Sequence, residues 1–189
     1  TEAAFSAETP GELRAFLAPL AENGGVATRH ELAVPLAALL PEHRNHARRL
    51  GLIIGALAVY HPQLLKPQSV ALRLALLSVR AGTAMPPVPM PGMGLLDRPS
   101  PELGRAARDA GYFAFGTQML RHDLVERIAR AIHDQREGHK PFTPDSRLAT
   151  SIGVGEETFA RVLRAVGFMP VGGRAAAEQQ WRWHGIARP

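Results

Sequence analysis

Arginine carries whatever chemistry this sequence offers. Only Lys66 and Lys140 are lysine among the 22 basic residues, which leaves 20 Arg. The planar guanidinium fork suits phosphate oxygens and stacked bases better than an ammonium does, so a polyanionic partner is one reading of the excess. An Arg-for-Lys bias of a GC-rich genome is the other. The candidates fall in clusters. His43-Arg44-Asn45-His46-Ala47-Arg48-Arg49 sets Arg44 and Arg48 on one short helix, Lys66 stands before Pro67 at a helix entrance, and Arg73 and Arg80 lie seven apart. Near the end of the chain come Arg161, Arg164, Arg174 and Arg182, the last between Trp181 and Trp183. Arginines on a helix and a loop neutralise phosphates, and an indole such as Trp181 stacks on an unpaired base for about 1–3 kcal/mol. Alternate strand residues share a face, so both tryptophans equally suit a strand that covers helices.

Other constellations are weaker. His43 and His46 have helical spacing for a metal, but the sequence places no third or fourth ligand, so no metal site is expected. His122-Asp123 and His133-Asp134 are eleven apart and suit caps or solvent. Glu156 and Glu157 open the same helix as Arg161, where a phosphate-seeking N-terminus avoids acids; that argues against tight duplex reading. The sequence has no Gly-x-x-x-x-Gly-Lys-Ser/Thr, Gly-x-Gly-x-x-Gly, His-Glu-x-x-His or Gly-x-Ser-x-Gly run and no Cys. No nucleotide-hydrolysing or nucleophilic site is legible, and these residues are read as non-catalytic.

The elements that position these residues read as a mainly α chain with short β segments, an α+β fold. Its 189 residues, net charge of +5 and 46% hydrophobic content suit one compact domain or two small ones. The charge is spread evenly, with nine basic and seven acidic residues in 1–100 and thirteen and ten in 101–189. The apolar run Leu50–Tyr60 is far short of the roughly 20 residues that cross a bilayer, and the start lacks a basic and apolar leader. A cytoplasmic chain without a membrane partner is expected. Thr1 reads as a cut or processed end, hence a piece of a longer protein.

Residues 1–81 read as an N-terminal helical subdomain with a short β segment. Leu13, Phe16, Leu17 and Leu20 mark its first helix, Thr28 and Glu31 form a capping box for a second, and Pro41-Glu42 opens a third that runs to Leu50. A β-prone stretch from Leu52 to Tyr60 precedes an apolar helix from about Gln68 to Arg80, with Leu72, Leu76 and Val79 facing the core. Residues 82–101, with six Pro and three Gly from Gly82 to Pro101, form an extended Pro-rich strap. Residues 102–189 form a C-terminal winged-helix-like subdomain. They comprise a short helix to Gly111, a strand Tyr112–Phe115, a helix His122–Glu137 with an apolar stripe of Leu120, Leu124, Val125, Ile128 and Ile132, and a helix capped by Thr143-Pro144-Asp145. The turn Ile152–Gly155 then leads into Glu156–Val166, whose core face is Phe159, Val162, Leu163 and Val166. Two strands, Phe168–Val171 and Gln180–Trp183, flank a Gly-rich loop, which completes the order of a winged helix.

Arg49-Leu-Gly-Leu-Ile-Ile-Gly55, Val59-Tyr-His-Pro-Gln-Leu-Leu-Lys-Pro67 and Leu72-Arg-Leu74 resemble the C-terminal region of alphaproteobacterial superfamily-two helicases related to the mitochondrial degradosome RNA helicase. The downstream segments keep the order of that region: the strap, Ala110-Gly-Tyr112, Asp123–Ala129, Leu163–Phe168 and Trp181-Arg-Trp183. The resemblance covers roughly residues 35–184, and Gly51-Leu52-Ile53 departs from it by lacking a family arginine. It implies a parent chain with two upstream RecA-like ATPase domains, using ATP and Mg to unwind RNA or RNA–DNA duplexes. This region would then be a non-catalytic accessory domain without a cofactor of its own. Its implied partners are single-stranded RNA or DNA, the helicase core of the same chain, and RNA-degradation partners. A winged-helix DNA-binding regulator or a protein-interaction module using the Met-rich strap are the alternatives.

Overall fold

Leu13, Phe16, Leu17 and Leu20 recur at helical spacing and form the buried face of α1 (Gly11–Glu22) in the computed structural model, which describes residues 9–172 and 179–186. The fold is α+β, with eight α-helices and three small antiparallel sheets among the described residues. These residues pack into two units, residues 9–92 with 101–111, and 93–100 with 112–186.

In the first unit α1 packs on β1 (Val26–Thr28), α2 (Ala33–Ala38) and α3 (Pro41–Arg49). Strands β2 (Ile53–Ile54) and β3 (Ala58–Tyr60) complete a sheet of order β1-β3-β2, in register Val26 to Tyr60 and Ile54 to Val59. The apolar core joins the α1 face to Leu32, Leu36, Leu39, Ala47, Leu52 and Val59. Burying each of the leucine, valine and phenylalanine side chains contributes about 1.5–3 kcal/mol, which stabilises helices too short to persist alone. The capping box forms, with Thr28 N–H donating to Glu31 Oε2 at 2.6 Å and Glu31 N–H to Thr28 Oγ1 at 3.2 Å. It closes a turn, and the helix begins later, at Ala33.

A 3-10 turn (Pro62–Leu65) enters α4 (Pro67–Ala81), which Gly82 terminates in the left-handed conformation. Here the expected core face is reversed. Val70, Leu74, Ser78 and Arg73 are buried, while Leu72, Leu76 and Val79 are 63%, 62% and 80% exposed. The helix is apolar on two sides, and periodicity does not say which side meets the fold. The α1–β1 turn decides it: Gly24 has no Cβ, so the methylenes of Arg73 lie against its backbone. Helix α5 (Pro101–Asp109) also belongs to this unit, although the sequence boundary at 102 assigns it to the second.

The second unit begins inside the strap. Leu95–Asp97 is a strand, β4, that pairs with β6 (Gln118–Arg121), and β6 pairs with β5 (Tyr112–Phe115) in the order β4-β6-β5. The strap is extended here, and its Leu95-Leu96 segment joins the sheet and buries Leu96 instead of only linking two subdomains. Strand β6 is not expected from the sequence, which places Leu120 with the next helix. Gly116 at φ 68° permits the tight Gly116-Thr117 reversal that folds this segment back. Helix α6 (His122–His133) stops one turn short of the expected Glu137 and buries Val125, Ile128, Ala129 and Ile132. Helices α7 (Arg147–Ser151) and α8 (Glu156–Ala165) come next, then β7 (Phe168–Val171) and β8 (Gln180–Trp183), paired antiparallel from Phe168–Trp183 to Val171–Gln180. α6 packs on β6 and α8, and α8 on β5 and β7.

Candidate nucleic-acid interface

Three hydrogen bonds fix α8 against the hairpin. Gln118 accepts from Gly155 N–H at 2.9 Å and its Nε2 donates to Gly153 O at 3.1 Å, so one β6 side chain clamps the Gly153–Gly155 turn. Thr158 Oγ1 donates to Phe115 O at 3.2 Å. This buried hydroxyl takes the place expected of Phe159, which is only half-buried, while Val162, Leu163 and Val166 are inside as expected.

With that face committed, the opposite face of α8 fronts a groove of about 540 Å³. Ala114, Phe115 and Gly116 form one wall, and Glu157, Arg161, Arg164 and Ala165 the other. The structure thus brings together two of the arginines that the sequence singles out. Arg161 donates from Nε and Nη2 to one oxygen of Glu157, Oε1, at 3.0 and 2.7 Å. This i,i+4 ion pair is half-exposed or more on both sides and stabilises the helix by only about 0.3–0.5 kcal/mol. The Arg164 guanidinium stands 5.5 Å from the Trp181 ring centroid.

Trp181 is 5% exposed, which corrects its reading as a base platform. Backbone bonds to Phe142, N–H to O at 2.8 Å and O to N–H at 3.0 Å, hold it inside the unit. Trp183 is half-buried instead, and it gathers cationic and aromatic groups that local sequence pattern does not reveal. The Arg136 guanidinium lies 4.2 Å from its centroid, His139 stacks on it at 5.5 Å, and His133 meets it edge-on at 5.7 Å. Burial, and then the nearby Arg136 charge, lower the pKa of His133, with Asp134 opposing. Arg182 alternates with the two tryptophans and is exposed, opposite Met169 in register. Arg174 lies outside the described residues.

The basic residues of the first unit do not form one phosphate-facing patch. Arg44 donates from Nη2 to Leu36 O at 3.1 Å and from Nε to Leu39 O at 3.3 Å, which satisfies carbonyls at the end of α2. Arg80 Nη1 donates to Glu22 O at 2.8 Å and does the same for α1. Arg73 is only 5% exposed, so it is not available to a nucleic acid, which corrects its assignment. Its Nε and Nη2 have no hydrogen-bond partner among the described residues, and burial lowers its pKa to about 10 against the raising effect of Asp109. Arg48 and Lys66 remain at the surface, Arg48 with a 3.0 Å bond from Nη1 to Asn45 Oδ1. His43 is buried, and no group of three or more His, Cys, Asp or Glu placed to hold a metal occurs among the described residues.

Comparison with known protein families, characterised proteins and solved structures returns no match to this chain. No described helix is long and apolar enough to cross a membrane.

Proposed function

We propose that this chain is a non-catalytic accessory region of an ATP-dependent RNA or DNA helicase and holds single-stranded nucleic acid beside the helicase core of its parent chain. The observation that carries the reading is the pairing of Arg161 and Arg164 on the solvent face of α8, fronting the groove against the β5–β6 turn. Two guanidinium groups one helical turn apart suit successive phosphates of a strand. The helix–turn–helix–hairpin order from α7 to β8 supports a winged-helix-like module, and Glu156 and Glu157 at the start of α8 favour a single strand over a duplex groove. The role is to hold and position the strand, while the parent core supplies ATP- and Mg-driven movement and RNA-degradation partners are recruited to the same chain. The sequence resemblance to the helicase C-terminal region supports the same assignment.

The test is fluorescence anisotropy with labelled single-stranded RNA, single-stranded DNA and duplex over a salt series. Each phosphate neutralised on a single strand contributes about −0.7 to the slope of log K against log salt. The reading expects single-strand preference, and a shallower slope by about that amount for Arg164→Ala. Absence of binding at low salt overturns it.

One observation favours the protein-interaction alternative, the exposed Leu72, Leu76 and Val79 on α4. Under that reading Leu76→Ser abolishes association with the helicase core, and nucleic-acid affinity is absent at every salt concentration.

A further inference from the structure

The geometry of α8 points to Glu157 as the residue that sets how strongly this groove holds a nucleic-acid backbone: we infer that its carboxylate occupies Arg161 in place of a phosphodiester and must be displaced when the strand binds. The inference rests on the nucleic-acid reading above and adds the residue that regulates it.

Both Arg161 donors, Nε at 3.0 Å and Nη2 at 2.7 Å, converge on the single atom Glu157 Oε1. That edge of a guanidinium matches two oxygens side by side, one per N–H, in carboxylate or phosphate. The helix holds Glu157 one turn away and gives the fork only one oxygen, so its bidentate capacity is half used. A phosphodiester arriving from the groove presents two unesterified oxygens to the same edge. Glu157 is also free to leave, because its side chain is 73% exposed and rehydrates on release.

The opposite wall keeps the arginine at the mouth of the groove. Gly116 sits at φ 68°, and a Cβ there would stand 3.0 Å from Arg161 Nε, so the missing side chain lets the turn lie against the guanidinium. Arg161 is thus held between a glycine backbone and a carboxylate, beside Arg164. With Glu157 bound to it, the groove presents one uncompensated cation; with Glu157 displaced, it presents two.

The experiment is anisotropy of the same chain with fluorescein-labelled oligo-uridine across a potassium chloride series, comparing wild type, Glu157→Gln, Glu156→Gln and Glu157→Gln/Arg161→Ala. Glu157→Gln is expected to tighten binding about five-fold at about 0.1 M salt with the slope unchanged, because Arg161 meets the same phosphate in the wild type once Glu157 has been displaced. Glu156→Gln removes the same charge from the adjacent position outside the groove wall, and is expected to leave the affinity almost unchanged. Arg161→Ala in the Glu157→Gln background is expected to cancel the gain. Equal effects of Glu157→Gln and Glu156→Gln overturn the inference, since general charge then explains both. Binding by the wild type with no response to Glu157→Gln overturns this inference alone, whereas silence of both proteins at low salt overturns the nucleic-acid reading with it.

Discussion

A Cβ on Gly24 would stand 2.7 Å from both Cγ and Cδ of Arg73. The two residues are 49 positions apart, and their contact fixes which side of α4 faces the first unit. Gly24 also has φ 68°, a left-handed conformation that costs a residue with a Cβ about 1–2 kcal/mol. Gly24→Ala therefore combines backbone strain with overpacking at the rigid part of the arginine stem. The expected loss is about 2 kcal/mol or more, read as a lower urea midpoint at unchanged m-value.

Arg73 itself is expected to behave as a structural residue. Its aliphatic stem packs, while two of its nitrogens are buried without partners among the described residues. Arg73→Met keeps the stem volume and removes the unpaired N–H groups, so stability should stay within about 1 kcal/mol of wild type or rise. Arg73→Ala loses the packing and should cost about 2 kcal/mol or more. Neither variant should alter the salt slope of nucleic-acid binding, and a clear drop for Arg73→Met would show that the guanidinium reaches the strand.

Trp181 and Arg164 are neighbours, yet their variants should separate cleanly. Trp181→Ala empties a nearly sealed site and is expected to destabilise the second unit by about 3–5 kcal/mol, seen in thermal or urea unfolding. Arg164→Ala should leave the unfolding midpoint almost unchanged and affect binding.

The pH dependence of the second unit stems from His133, which packs on Phe168 at 5.0 Å and edge-on to Trp183. Its folded pKa is lowered, first by burial and then by Arg136. The unfolded chain thus binds more protons below the ordinary histidine value of about 6.5, and stability is full above that pH and falls as the pH drops through it. Urea titrations between neutral and mildly acidic pH should show this decline, and His133→Gln should flatten it.

The helices themselves were legible because their signals are local. Leu13, Phe16, Leu17 and Leu20 repeat at the helical period, Pro67 and Gly82 bracket α4, and Gly155 and Gly167 bracket α8. The arginine pair on α8 was legible for the same reason, since the buried positions Val162, Leu163 and Val166 leave Arg161 and Arg164 on the other face. Strand β6 was hidden, because Gln118–Arg121 carries no alternation and becomes a strand only through pairing with β4 and β5.

By itself the sequence determined the α+β class and which helix carries the exposed arginines, because periodicity and end signals act within a few residues. Tertiary structure decided the rest. A helix apolar on both sides, as α4 is, takes its core face from what packs against it, and so Arg73 went in while Leu72, Leu76 and Val79 stayed out. Trp181 and Trp183 share a strand face by alternation, but the first is buried on a strand that bridges the Phe142 backbone while Arg136 and His139 surround the second. Local pattern states which residues lie together, and burial depends on distant chain that no local pattern contains.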